Sequence, residues 1–277
     1  MIDNKKMYLG LLKKVLTDMI NEGANHFTPF SPRSKNPFKR VVLNYIINTF
    51  EKKNIKVVYD DGYKGEERQV GIGWPVNGYT MIGMERLNNV EYCVDEVLKN
   101  NVPGDFIETG VWKGGTCIFI RAMLEANNIV DRNVWVADSF EGLPKPDVQN
   151  YPADEGDDLH SIEQLRVTEE DVRKNFERFN LLDKQVKFLK GWFKDTLPDA
   201  PIEKLAVIRL DGDMYESTMD GLRNLYHKLS PGGFIIIDDY GAIEACKKAV
   251  HDFRESNGIT DEIKSIDWSG HYWQKTK

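Results

Sequence analysis

Residues 105–116 read DFIETGVWKGGT, an apolar run that ends in a carboxylate and passes directly into a glycine-rich turn. Short apolar runs bounded by turn residues suit strands covered on both faces, and open parallel sheets receive ligands at the carboxyl ends of such strands. Four more runs of this kind follow: VWVAD, VKFLKG, KLAVIRLDG and GGFIIIDD. Helical stretches separate them, after Gly114, within 169–179, over 217–229 and over 242–256. This alternation predicts an α/β fold with a mostly parallel sheet and helices on both faces. The closing stretch IKSIDWSGHYWQK reads as a β-hairpin at one edge.

Upstream of Gly104 the pattern is helical. In MYLGLLKKVLTDMINEG the residues Leu12, Val15, Leu16, Met19 and Ile20 recur at three and four, which predicts an amphipathic helix stopped by Gly23. FKRVVLNYIINTFEKKN repeats that spacing, and MERLNNVEYCVDEVLKNN places Leu87, Val90, Val94 and Val97 on one face. Between the first two lies GANHFTPFSPRSKNPFK, whose glycine, serine and prolines read as a packed loop, with His26 a structural or surface residue and a substrate lid as the alternative.

The chain has 277 residues, ample for one large unit, and 41% hydrophobic with 29% charged residues is ordinary for a globular enzyme. A net charge of −7 disfavours nucleic acid as partner, since no basic excess exists to replace phosphate counterions. The N-terminus lacks a continuous apolar core and no 18-residue apolar run occurs, so neither a secretory signal nor a membrane span is expected, and the cytoplasm is the default compartment. Cys93, Cys117 and Cys246 are far apart and read as buried thiols.

Four of the five runs deliver carboxylates to one rim: Glu108, then Asp138, then Asp211 with Asp213, then Asp238 with Asp239. The turn after the first run is neither a P-loop nor GxGxxG; it fits ExGxxxG through Glu108, Gly110 and Gly114, the turn of S-adenosylmethionine-dependent methyltransferases, or else a tight turn for helix packing. Asp138, at the second rim position, can hold ribose hydroxyls or cap its own turn. Asp211, Asp238 and Asp239 converge if their strands are neighbours. Such an all-oxygen set suits Mg²⁺, Mn²⁺ or Ca²⁺ over zinc, and the competing partner for the pair is Arg209.

In order, ETGVWKGGT, DSFEGLP, IRLDGDMYEST and GGFIIIDDY resemble the macrocin O-methyltransferase (TylF-type) family, as do GYTMIGMERL, GWFKDTLP and the closing HYW, over residues 74–277. The resemblance implies a class I methyltransferase fold with a seven-stranded, Rossmann-like sheet over 91–277, preceded by a helical cap and substrate lid over 1–90. It implies S-adenosyl-L-methionine and Mg²⁺ as cofactors and a sugar hydroxyl as acceptor, with a homo-oligomer expected. By position it places the methyl donor along Met81, Ile82, Glu108, Thr109, Gly110, Val111, Trp112, Gly114, Asp138, Ser139 and Trp192. It makes Asp211, Asp238 and Asp239 the metal ligands and His160 the proton acceptor, with Asp211 as the alternative base. His227, His251 and His271 read as structural or surface residues. Competing readings are a catechol-type O-methyltransferase, a non-catalytic S-adenosylmethionine-binding module and, more distantly, a nicotinamide oxidoreductase.

Overall fold

Alternation within the apolar runs decides which helices cover which face of the sheet. In the computed structural model, which describes residues 3–21, 27–30, 37–60, 65–73, 75 and 77–277, the strands are β1 (Phe27–Pro29), β2 (Val58–Asp60), β3 (Asp105–Thr109), β4 (Val134–Asp138), β5 (Val186–Lys190), β6 (Leu205–Leu210), β7 (Leu229–Ile237), β8 (Lys264–Ser265) and β9 (His271–Gln274). The α-helices are α1 (Asn4–Leu16), α2 (Pro37–Glu51), α3 (Gly65–Gln69), α4 (Met84–Lys99), α5 (Gly115–Ala126), α6 (Glu169–Arg178), α7 (Phe193–Thr196), α8 (Tyr215–Leu225) and α9 (Glu244–Ser256). Strands β3 to β9 form one sheet in the order β5-β4-β3-β6-β7-β9-β8. It is parallel from β5 to β7, whereas β9 runs antiparallel to both β7 and β8, which bears out the terminal hairpin.

Phe106, Val134, Val136, Phe234 and Ile236 pack on one face with α1, α4, α5 and α6, while Ile107, Trp135, Ala137, Ile235 and Ile237 pack on the other with α8 and α9. Both faces of β3 are therefore dry, and each fully buried Ile or Phe contributes roughly 1.5–3 kcal/mol relative to exposure. No helix among the described residues is long and apolar enough to cross a membrane.

The N-terminal region begins with a helix of the sheet's covering layer. Helix α1 starts at Asp3, whose side chain accepts from the backbone N–H groups of Lys5 and Lys6 at 3.0 and 3.2 Å. It ends at Leu16, not Gly23, because Asp18 takes a left-handed φ of 65°. Leu9, Leu12 and Leu16 are buried in the main core, so α1 belongs to the sheet's own covering layer, and a division at residue 90 falls inside α4. What stands apart is α2 with the antiparallel pair β1–β2, and Val41, Tyr45 and Phe50 of α2 are exposed. The expected loop over 23–39 contains β1 and the first residues of α2; Gly23 and His26 lie outside the described residues. All three cysteines are free and buried.

Candidate active site

The glycine turn after β3 is shaped by contact with the next strand. Gly110 has φ 82°, and a Cβ there would sit 1.7 Å from the Asp211 carbonyl oxygen, so only glycine lets the turn cross the end of β6 this closely. Trp112 follows at φ 48°, its indole N–H donating to the Gln164 carbonyl at 3.0 Å. The Asp138 carboxylate gathers this turn to its own, accepting from the N–H groups of Val111 at 2.8 Å and Phe140 at 2.7 Å. Burial pushes its pKa up and these backbone donors oppose the rise.

Met81, Gly110, Trp112, Asp138, Ser139 and Trp192 line a single cavity, together with Phe193, Asp211 and Asp213. The remaining donor-site candidates do not line it. Glu108, only 1% exposed, is ion-paired with Arg209 and accepts from the Cys117 thiol at 3.0 Å. Thr109, Val111 and Ile82 are buried, and Gly114, at φ 84°, lies where a Cβ would press on Val172 at 2.8 Å, which is the packing role of a turn glycine. The ExGxxxG glutamate is thus an internal strut, because a charge at that depth requires a charged partner.

Strand β6 lies beside β7, and this brings one carboxylate oxygen from each of Asp211, Asp238 and Asp239 within 4.8 Å of one another. Arginine is part of this centre. Arg209, 1% exposed, pairs with Glu108 and Asp238 and contacts Asp211 at 2.9 Å, while Arg86 pairs with Asp238 and contacts Asp267 at 2.9 Å. Two guanidinium groups thus pair with the carboxylates of Glu108, Asp211, Asp238 and Asp267 while Asp239 and Asp213 crowd the same centre without an ion pair, a balance that leaves anionic charge uncompensated. Its consequence is a rise in the carboxyl pKa values. Desolvation, and then repulsion from Asp238, holds Asp211 well above the carboxylate range; desolvation and then Asp213, Asp211 and Asp238 do the same to Asp239. Asp213 is pushed up to about 7 by burial and by the charges of Asp238 and Asp157. An all-oxygen cluster with excess negative charge has the chemistry of a hard divalent-cation site, so the three aspartates fit such an ion.

His160 sits on a 3₁₀ turn, Leu159–Ser161, with a buried ring Nδ1 that has no hydrogen-bond partner. Asp157, three residues earlier, feels the charges of both His160 and Asp154, and itself acts on Asp213, so this segment lies within electrostatic reach of the rim. His251 bonds the Tyr240 hydroxyl at 2.9 Å, His271 bonds the Ser269 carbonyl at 3.1 Å, and His227 is exposed, in keeping with structural or surface roles. Asp213 is the residue whose place at the rim carried no role in the sequence reading. Its φ is 60°, its N–H donates to Asp239 at 3.2 Å, and it lines the cavity; the doubled aspartate of LDGDM was the available signal. Glu216 and Asp220, one helical turn apart on α8, also lie on the cavity wall, and burial with the Glu216 charge raises Asp220 to about 6.

Comparison with known proteins gives this arrangement its kinship. Over 99% of its length the chain is 46% identical to demethyldecarbamoylnovobiocin O-methyltransferase of Streptomyces niveus, covering 95% of that protein. It is 49% identical over 99% of its length to 8-demethyl-8-(2,3-dimethoxy-alpha-L-rhamnosyl)-tetracenomycin-C 4'-O-methyltransferase of Streptomyces olivaceus, covering 94% of it. It is 44% identical over 98% of its length to mycinamicin III 3''-O-methyltransferase of Micromonospora griseorubida, covering 97% of it. The solved structure of the O-methyltransferase NovP superposes with a TM-score of 0.84 at 45% identity, covering 99% of this chain and 100% of that one. The calicheamicin methyltransferase CalS11, at TM-score 0.56 and 16% identity over 90% of this chain and 95% of that one, shares the fold. The model of the macrocin-O-methyltransferase (TylF) family matches residues 5–275, and the chain belongs to that family of O-methyltransferases.

Proposed function

We propose that this enzyme transfers a methyl group from S-adenosyl-L-methionine to a hydroxyl of a sugar carried by a small natural product or its precursor, assisted by Mg²⁺. One observation carries the reading: the cavity walled by Gly110, Trp112, Asp138, Ser139 and Trp192 also has Asp211 on its wall, so donor pocket and carboxylate cluster open onto one space. By their names the relatives methylate demethyldecarbamoylnovobiocin, a rhamnosyl tetracenomycin and mycinamicin III, and the rhamnosyl acceptor among them supports a sugar-bearing acceptor here.

Methyl transfer from a sulfonium needs an oxygen nucleophile aligned with the methyl carbon, and a sugar hydroxyl is a weak one. Asp211, Asp238 and Asp239 would hold the divalent cation, whose chemistry is to acidify and orient a bound hydroxyl. Arg209 and Arg86 keep two of these carboxylates in place from behind, and the apolar wall around Trp112 and Trp192 excludes water from the transfer path. His160 accepts the proton in this reading, its unpartnered buried ring nitrogen being free to do so. Asp213 is a second candidate base, on the specific ground that it lines the cavity beside Asp211 and makes no ion pair with either arginine of the centre. Asp211 suits that role less well, because Arg209 holds it.

The test is transfer of labelled methyl to a panel of glycosylated acceptors and simple catechols, with and without Mg²⁺. Labelled glycoside formed only with the metal is the expected result; catechol turnover without glycoside turnover would replace the acceptor class, and full activity in EDTA at negligible metal content would remove the cation.

A further inference from the structure

We infer that Asp154 is a positioning residue for methyl transfer: its carboxylate caps helix α8 from the segment that carries His160, and so locks that segment over the cavity. Helix α8 begins directly after the rim aspartates Asp211 and Asp213, yet the residue at its N-cap is Met214, which provides no side-chain acceptor for the exposed N–H groups of the first turn. The acceptor comes instead from 61 residues away. One oxygen of Asp154 accepts from the Tyr215 N–H at 2.6 Å and the other from the Glu216 N–H at 3.1 Å, and the residue is 2% exposed. A carboxylate buried there meets the positive end of the helix dipole, which makes the contact favourable despite desolvation.

The surroundings form a clasp. Asp154 closes the 3₁₀ turn Pro152–Asp154, which packs against both α8 and α9. The Tyr151 ring lies 6.0 Å from that of Tyr215, whose hydroxyl donates to Asp252 of α9 at 2.9 Å. Both ends of the segment reach the cavity wall, through Gly142, Leu143 and Pro144 on one side and Leu165 on the other. Between them its middle is secured at Asp154, with Asp157 and His160 just beyond. Releasing the cap therefore frees the stretch that sets Asp157 near Asp213 and carries His160, and unties the helix that follows Asp213. This inference rests on the proposed methyl transfer only for its kinetic arm.

The experiment compares the intact chain with Asp154→Ala and Asp154→Asn, the latter retaining one acceptor oxygen. Amide exchange over 150–165 and at Tyr215 and Glu216, which needs no acceptor substrate, is expected to quicken on the order of tenfold in Asp154→Ala and less in Asp154→Asn. Turnover should fall on the order of tenfold or more with a raised KM for the acceptor, and Asp154→Asn should recover part of both. Combining Asp154→Ala with His160→Ala should cost less than the product of the single losses, since both act through one placement. Unchanged exchange across the segment, or loosened exchange with unchanged turnover, overturns the inference. If Asp154→Ala does not fold, Asp154→Asn alone decides by the same readouts. Absence of turnover by the unaltered chain on every acceptor is instead a failure of the proposed function, and the exchange pattern then decides the clasp by itself.

Discussion

Arg209 shows how much one side chain organises. From near the carboxyl end of β6 it joins Glu108, 101 residues away, to Asp211 and Asp238, and with Glu108 it is only 1% exposed. Removing one partner of a buried ionic network leaves the other charges uncompensated, so Arg209→Leu should lower stability by about 3–5 kcal/mol in urea denaturation at neutral pH. The loss should shrink as pH is lowered, because burial raises the Glu108 and Asp211 carboxyls and so favours their taking up protons; an unchanged midpoint at neutral and lower pH would show that the network carries no such load. The base is decided at the same scale. His160→Ala should slow transfer by roughly 10²–10⁴ while donor binding persists, the range for a positioned base. An unaltered rate there, with a loss of that size in Asp213→Asn, would move the proton to Asp213.

Among the elements, the turn joining β3 to α5 is the least tolerant. It meets β6 through the Asp211 N–H, which donates to the Thr109 carbonyl at 2.9 Å, and through the bare face of Gly110. Gly110→Ala adds a methyl where 1.7 Å is available and imposes a left-handed φ on a residue with a side chain. Calorimetry should show loss of donor binding and of cation binding together, since both walls share this crossing; retention of either at its original affinity would contradict the shared hinge. Helix α2 is the opposite case. Its Val41 and Tyr45 are 66% and 74% exposed, so Val41→Ser and Tyr45→Ser should each change the stability of the dilute protein by no more than about 0.5 kcal/mol.

For the whole molecule, the excess of carboxylates couples folding to pH and to metal. A carboxyl whose folded pKa lies above its unfolded value contributes stability that is complete below the unfolded pKa and is lost as pH rises through the folded one. Asp213 loses its share between about 4 and about 7, and Asp211 and Asp239, also raised by burial and mutual repulsion, lose theirs in the same direction. The Tm of metal-free protein should therefore fall from pH 5 to pH 8, and Mg²⁺ or Mn²⁺ should flatten that fall by neutralising the cluster; a Tm insensitive to metal at pH 8 would argue against cation binding. Sequence alone determined the alternation of strands and helices, the two dry sheet faces read from Phe106 to Ile237, and the carboxylates at the strand ends, because each follows from local periodicity and from the chain leaving a strand. It also carried the family, through motifs that are themselves strand-end turns. Only the tertiary structure decided that α1 joins the core, that Glu108 turns inward to Arg209, that Arg86 and Arg209 pair with the rim aspartates, and that Asp154 caps a helix which has no cap of its own. These are pairings between charges or caps far apart along the chain, and local periodicity can assign a face to a residue but not a partner.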